Sequence, residues 1–305
     1  MDSRLAGFLG CSVPMLRRVK TVISPDWEPV LRAHALETVD GVYRAGGGRV
    51  VARSGSTEVR EVHLDSDSGI RTVFVKKYWA QRPSQVWSGT FRGTFFGRSK
   101  VRREYENLVR LRAWGFDAPR PVSYGEERWA RWLVRSYLIS EGVPEPTPLH
   151  VFIRKRLLLS NDDSRRIRRE LVEGLAACTR RLHERRFVHH DYFWRNILLA
   201  GSDLTRFFLI DAHKGRCWFP WEELHARAKD LAALQAPAPR FFRRAEMMRF
   251  FLLYRNHSRL DLRDKDLIRL TLRLAEPMRE KQLRRALGES ATPNPAPAQG
   301  KIGVQ

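Results

Sequence analysis

Between Glu141 and Pro148 the hydrophobic pattern of the chain changes period, and that break limits what the chain can fold into. Before it the pattern is that of strands. Arg49–Arg53, Glu58–Leu64 and Ile70–Val75 are short β-branched runs joined by turn residues at Ser54–Thr57 and Asp65–Gly69, which predicts an antiparallel meander. A helix is predicted from Ser99, with Val101, Tyr105, Leu108 and Leu111 on one face, ending at Gly115 and Pro119. Two more strands fit Arg120–Tyr124 and Trp132–Ile139. Pro144, Pro146, Pro148 and Gly142 then read as a linker between lobes. Beyond it the pattern is helical: Asn161, Asp162, Asp163 and Ser164 offer N-caps, and Ile167, Leu171, Leu175, Cys178 and Leu182 repeat on one face. Ile197–Leu199 and Phe207–Ile210 are short apolar strands, and 222–287 reads as helices around Pro237 and Pro239. The expectation is an α+β, bilobal chain. Residues 1–35 form an N-terminal extension, 36–140 a small antiparallel-sheet N-lobe with one helix and 141–148 a hinge. Residues 149–287 form a mainly helical C-lobe, and 288–305 a disordered tail.

Composition narrows the partners. The 305 residues are 43% hydrophobic, enough for a sizeable core. They carry 56 Lys and Arg against 34 Asp and Glu, a formal net charge of +22, which calls for an acidic partner: nucleic acid, an anionic membrane or a phosphorylated substrate. The excess is concentrated in three places. Residues 82–103 hold six basic and no acidic side chains, laced with Trp87, Phe91, Phe95 and Phe96. Residues 154–186 hold eleven basic against five acidic, and residues 240–285 fourteen against six. Cys11, Cys178 and Cys217 have neither metal-ligand spacing nor an even count, so reduced thiols are expected. The apolar run Leu5–Cys11 makes a poor signal sequence, because Arg17, Arg18 and Lys20 follow it; no export is read, and no run approaches a membrane span.

The most specific stretch is His189-x-Asp191-x-x-x-x-Asn196, placed between a helix and a strand. The second strand of the following hairpin ends in Asp211. Upstream, the third strand ends in Lys76, and the next helix carries Glu104. These four parts, in this order and in these secondary-structure contexts, resemble the protein-kinase-like fold. The resemblance implies ATP and Mg²⁺ as cofactors. Lys76 would hold the α- and β-phosphates, with Glu104 fixing its ammonium. Asp191 would act as catalytic base, and Asn196 and Asp211 would ligate the metal with hard oxygens. The Ser54, Gly55 and Ser56 turn would cover the phosphates, with Gly46–Gly48 as the other candidate. Adenine contacts are expected near Glu141 and Val143. His189 would pack under the loop, and Asp230 would brace it.

Departures from the protein-kinase pattern narrow the class. His190, not arginine, precedes Asp191; Ala212 and His213 follow Asp211; and the segment from Asp211 to Asp230 is short, leaving little platform for a peptide. From about residue 40 to about 240 the chain resembles the bacterial lipopolysaccharide core kinases. The likeness lies in the basic aromatic insert after Lys76, the run Arg102–Leu111, the loop Phe187–Leu198 with Tyr192 and Arg195, and Arg227–Leu234. Aminoglycoside phosphotransferases typically have glycine before the aspartate. The family resemblance implies a cytoplasmic kinase, peripheral on the inner membrane, that phosphorylates heptose or Kdo on a lipid-linked core oligosaccharide. Its insert would meet that glycan or the anionic inner leaflet. Two alternatives stay open at this point: a compact atypical protein Ser/Thr kinase, and a catalytically silent kinase-like binding protein. No specific nucleic-acid motif is present, and the oligomeric state is not legible.

Overall fold

The computed structural model describes residues 17–67, 69–79, 97–129, 132–157, 162–201 and 203–286. Cys11, the aromatic part of the basic insert, the Asn161 cap and the C-terminal tail lie outside the described residues. Cys178 and Cys217 are free thiols.

The N-lobe is a six-stranded antiparallel sheet. Its strands are β1 (Arg17–Ile23), β2 (Arg49–Ser54), β3 (Thr57–Ser66), β4 (Gly69–Trp79), β5 (Pro121–Trp129) and β6 (Trp132–Glu141), in the order β1-β5-β6-β4-β3-β2. The meander β2–β4 falls where alternating residues and turn chemistry place it. Thr57 pairs with Tyr78, and Val59 with Lys76. Helix α3 (Lys100–Ala113), capped by the Ser99 hydroxyl on the Arg102 amide at 3.1 Å, buries Val101, Leu108 and Leu111 as its periodicity requires.

Residues 17–33 are part of this lobe, not an appendage to it. β1 pairs with β5 from Arg17–Trp129 to Ile23–Ser123. The short helices α1 (Glu28–Ala33) and α2 (Val39–Arg44) follow it. Trp27 and Leu31 are fully buried in one cluster with Val73, Val75, Tyr137 and Ile139. In sequence β1 reads as a charged stretch because it is an edge strand. Arg17 and Lys20 face outward, and Arg17 pairs with Glu127 of the next strand at 2.7 Å.

The C-lobe contains α4 (Leu149–Leu157), α5 (Asp162–Glu184), α6 (Glu223–Gln235), α7 (Arg244–Arg255) and α8 (Leu262–Ala286). Part of the expected hinge is itself a strand: β7 (Pro146–Pro148) pairs with β9 (Ile197–Ala200), which pairs with β10 (Phe207–Leu209). A two-residue ribbon, β8 (Phe187–Val188) with β11 (Arg216–Cys217), flanks the loop that carries Asp191. One buried cluster runs from Val101, Leu108 and Leu111 of α3 to Phe187, Tyr192, Leu199 and Leu209, so the lobes share a core beneath the cleft.

Candidate active site

Strand alternation sets the first part of the site. Val73, Val75 and Lys77 point to the α1–α2 side, where Lys77 donates to the Ala45 carbonyl at 2.9 Å. Lys76 therefore points the other way, into the cleft. Its ammonium lies 3.1 Å from Glu104 Oε2 on α3 and 2.7 Å from Asp211 Oδ1. Glu104 is buried on the helix face that also carries Val101 and Leu108. Burial pulls the Lys76 ammonium down, but Glu104, Tyr78 and Asp211 outweigh it and hold it well above the usual lysine range. Burial would lift Asp211, yet the hydrogen bond from His213 and the Lys76 charge hold it far below the usual carboxylate range. Glu104 is lifted by burial and by the Asp211 charge, which outweigh the pull of Lys76.

The second part is the loop. The Asn196 amide donates to the Asp191 carbonyl at 2.8 Å, and the Ile210 amide donates to the Asn196 carbonyl at 3.1 Å. The loop and the segment that leads from β10 to Asp211 are thereby tied together. His190 and Asp211 both sit in the left-handed region, at φ 62° and 59°, which non-glycine residues adopt only when their surroundings compel it. For His190 the compelling group is Asp230. Its fully buried carboxylate accepts from the His189 amide at 2.7 Å and the His190 amide at 2.9 Å. Behind it, Arg227 donates to the Tyr254 hydroxyl at 2.9 Å, and that hydroxyl lies 2.7 Å from His183 Nδ1. The Asp230 carboxylate can only accept, so His183 Nε2 carries the hydrogen toward it, 3.4 Å away, and Nδ1 accepts from the Tyr254 hydroxyl. The Asp191 carboxylate is flanked by Arg195 at 3.4 Å and Lys214 at 3.5 Å, both half-exposed.

The Ser54–Ser56 turn and the hinge are the remaining parts expected from the sequence. Gly55 and Ser56 form a two-residue hairpin with Ser54 paired to Thr57. The Ser56 carbonyl accepts from the Trp79 amide at 3.0 Å, so the turn lies at the Lys76 end of β4. Gly46–Gly48 instead packs on the Lys77 side, where the Gly46 carbonyl accepts from Arg60. At the hinge, a cleft of about 420 Å³ is lined by Thr72, Phe74, Glu141, Gly142 and Val143. Glu141 is committed twice: its carboxylate pairs with Arg71, and its amide donates to the Arg120 carbonyl at 2.9 Å. The Val143 amide has no backbone partner among the described residues.

Sequence reasoning missed three contributors. His213 donates to Asp211 Oδ1 at 2.9 Å, where a protein kinase has glycine. Asn107, one turn beyond Glu104, donates to the Ala212 and Gly215 carbonyls at 2.7 and 2.8 Å, gripping the segment after Asp211. Its i, i+3 spacing from Glu104 was the available signal. His183 had none, since its role depends on partners 47 and 71 residues away.

Burial lowers His183 and His189, and lowers His190 to about 4. These histidines are neutral in the fold and protonate on unfolding below about pH 6.5. Stability is therefore complete above that pH and falls as pH drops from there toward 4, by about 1.4 kcal/mol per pH unit for each proton taken up. Glu104, with its raised pKa, offsets part of the loss. Denaturant unfolding from pH 7.5 down to pH 5 checks this; an unchanged midpoint would count against neutral buried histidines.

The lipopolysaccharide kinase (Kdo/WaaP) family model matches residues 37–254. A solved structure described as WaaP in complex with acyl carrier protein is 24% identical, with a TM-score of 0.60, covering 86% of this chain and 98% of that one. An aminoglycoside-3'-phosphotransferase of type VIII is 18% identical, with a TM-score of 0.47, covering 81% of this chain and 98% of its own. Comparison with the curated proteins gives no match. With the family model spanning both lobes and every element that carries the Lys76, Glu104, Asp191 and Asp211 cluster, the chain belongs to the lipopolysaccharide kinase (Kdo/WaaP) family and is a kinase.

Proposed function

We propose that this kinase, with ATP and Mg²⁺, phosphorylates a sugar hydroxyl, heptose or Kdo, on the lipid-linked inner core of lipopolysaccharide. The observation that carries the reading is the Lys76 ammonium held between Glu104 and Asp211 beside a braced Asp191 loop. The oxygen donors suit Mg²⁺. Asn196 spends its amide nitrogen on the Asp191 carbonyl, its side-chain oxygen has no hydrogen-bond donor among the described residues, and Asp211 keeps one oxygen beyond the one shared by Lys76 and His213. When bound there, the metal supplies charge neutralisation at the phosphates. Lys76 holds the phosphates, the Ser54–Ser56 amides cover them, and the Val143 amide is open to the adenine. Asp191 orients the acceptor hydroxyl and takes its proton as the oxygen bonds to the γ-phosphorus and ADP leaves. Arg195 and Lys214, loosely held on Asp191, are placed to turn toward the transferred phosphoryl group.

A small acceptor is favoured over a peptide by the segment after Asp211. It is pinned through β11 to β8, with the Trp218 amide on the Arg186 carbonyl at 2.9 Å, and runs straight into α6. No extended peptide platform is left. No helix among the described residues is long and apolar enough to cross a membrane. The proposed lipid-linked acceptor calls for peripheral action at the cytoplasmic face of the inner membrane. The insert's contribution is smaller than its charge count suggests, because Arg98 and Arg102 both pair with Glu106. A protein partner of the acyl-carrier kind, as in the WaaP complex, is a second reading, favoured by the basic surplus at 154–186 and 240–285.

Purified protein should add one phosphate to core oligosaccharide, read by mass spectrometry, and core from a deletion strain should lack that phosphate. Transfer to protein with none to glycan would replace this reading with the protein-kinase one.

A further inference from the structure

Outside the cleft, the segment after Asp211 carries an unusual surface. Trp218 is buried with Val188 and Ala226 and anchors the segment. The chain then turns outward. Trp221 is 79% exposed, the highest value for any large apolar side chain among the described residues, and Phe219 is 58% exposed. A tryptophan is ordinarily one of the better-buried residues, so this exposure needs an explanation. The two rings lie parallel, with centroids 4.8 Å apart. The turn Pro220–Glu222 holds them there: Glu222 accepts from the Phe219 amide at 3.0 Å and from Arg216 at 2.6 Å. Leu224, 47% exposed, extends the apolar surface into α6. The tip is thus ordered before it meets anything, which lowers the entropic cost of docking.

The charges around it point to one kind of partner. The neighbouring acids are already paired: Glu222 with Arg216, Glu223 with Arg227, and Glu184 with Arg180. Arg185 and Arg186 are exposed and have no acidic partner among the described residues. They adjoin the tip, since the Arg186 carbonyl accepts from the Trp218 amide. A rigid Trp and Phe tip rimmed by unpaired arginines matches the interface of an anionic bilayer, where aromatic rings sit at headgroup depth and arginines meet lipid phosphates. The same segment reaches the cleft at its other end, through Lys214 on Asp191.

We propose that Phe219, Trp221 and Leu224, with Arg185 and Arg186, form a membrane-docking surface that seats the kinase on an anionic bilayer with the acceptor side of the cleft toward the lipid. The purpose of this seat rests on the proposed lipid-linked acceptor; its existence does not.

The full chain is tested by co-sedimentation with phosphatidylcholine vesicles and with vesicles of equal parts phosphatidylcholine and phosphatidylglycerol. The wild type should bind the anionic vesicles. Phe219→Ser with Trp221→Ser should weaken that binding about tenfold or more. Arg185→Glu with Arg186→Glu should weaken it at least about fivefold per charge, and only on anionic vesicles. Each pair is made separately, so one misfolded variant leaves the other to decide. Both should phosphorylate deacylated core oligosaccharide at the wild-type rate. No wild-type binding, or binding unchanged in both variants, overturns the proposal. So does vesicle binding that persists while the KM for soluble oligosaccharide rises in the aromatic variant, which would mark a sugar-stacking surface. Vesicle binding as predicted without any oligosaccharide phosphorylation would leave the docking surface standing and remove the proposed function.

Discussion

Asp191→Asn is expected to lower phosphoryl transfer by ~10²–10⁴-fold while leaving ATP binding near the wild-type value. The substitution removes the proposed proton acceptor and keeps the shape. The loop does not depend on that carboxylate: Asn196 holds the Asp191 backbone carbonyl, and Asp230 holds the amides of His189 and His190. The groups proposed to hold the nucleotide's phosphates and adenine lie elsewhere, on β4, α3 and the hinge. The loss should therefore appear in kcat for the oligosaccharide, measured by initial rates, with the dissociation constant for ATP followed by calorimetry. Transfer that survived this change would remove Asp191 from the chemistry and with it the proposed mechanism.

Asp230→Ala is expected to cost about 4 kcal/mol of stability and most of the activity. The carboxylate is fully buried and accepts two backbone N–H bonds, and hydrogen bonds to a charged group contribute about 1.5–3 kcal/mol each. Alanine leaves both amides and the His183 Nε2 hydrogen without an acceptor in the core. It also releases His190 from its left-handed conformation, which displaces Asp191 next to it. Asp230→Asn retains one acceptor oxygen and should fall about midway. Urea denaturation gives the stability, and a kcat loss at unchanged ATP affinity separates loop displacement from general unfolding. A loss below about 1 kcal/mol with normal kcat would show that the brace is dispensable.

Much of the fold was legible because local rules and tertiary packing agree. The β2–β4 meander follows alternation and turn residues, and α3 follows its four-residue face and the Ser99 cap. β1 was not legible, because an edge strand that faces solvent carries charge in place of an apolar alternation, and its partner lies about a hundred residues away. The hinge was only half legible. Its prolines suggested a bare linker, but Pro146–Pro148 sits at the edge of a small sheet, a position that tolerates missing N–H donors. Glu141 illustrates the same limit within the site: its place in the hinge could be read, but not that Arg71 and Arg120 occupy it.

By itself the sequence determined which chemical groups are present and in what order: an ammonium on a strand, a carboxylate on the next helix, an aspartate–asparagine loop and a second carboxylate just past a strand. Those depend on residue type and on spacings of a few residues, which local periodicity reports. The tertiary structure alone decided that Lys76 lies between Glu104 and Asp211, that the strain at His190 is held by Asp230, itself backed by a histidine and a tyrosine from other helices, and that Phe219 and Trp221 face solvent. Each of these depends on contacts between residues far apart in the chain, or on which face of an element the rest of the protein leaves uncovered. No local pattern carries that information, because burial is a property of the whole packed molecule.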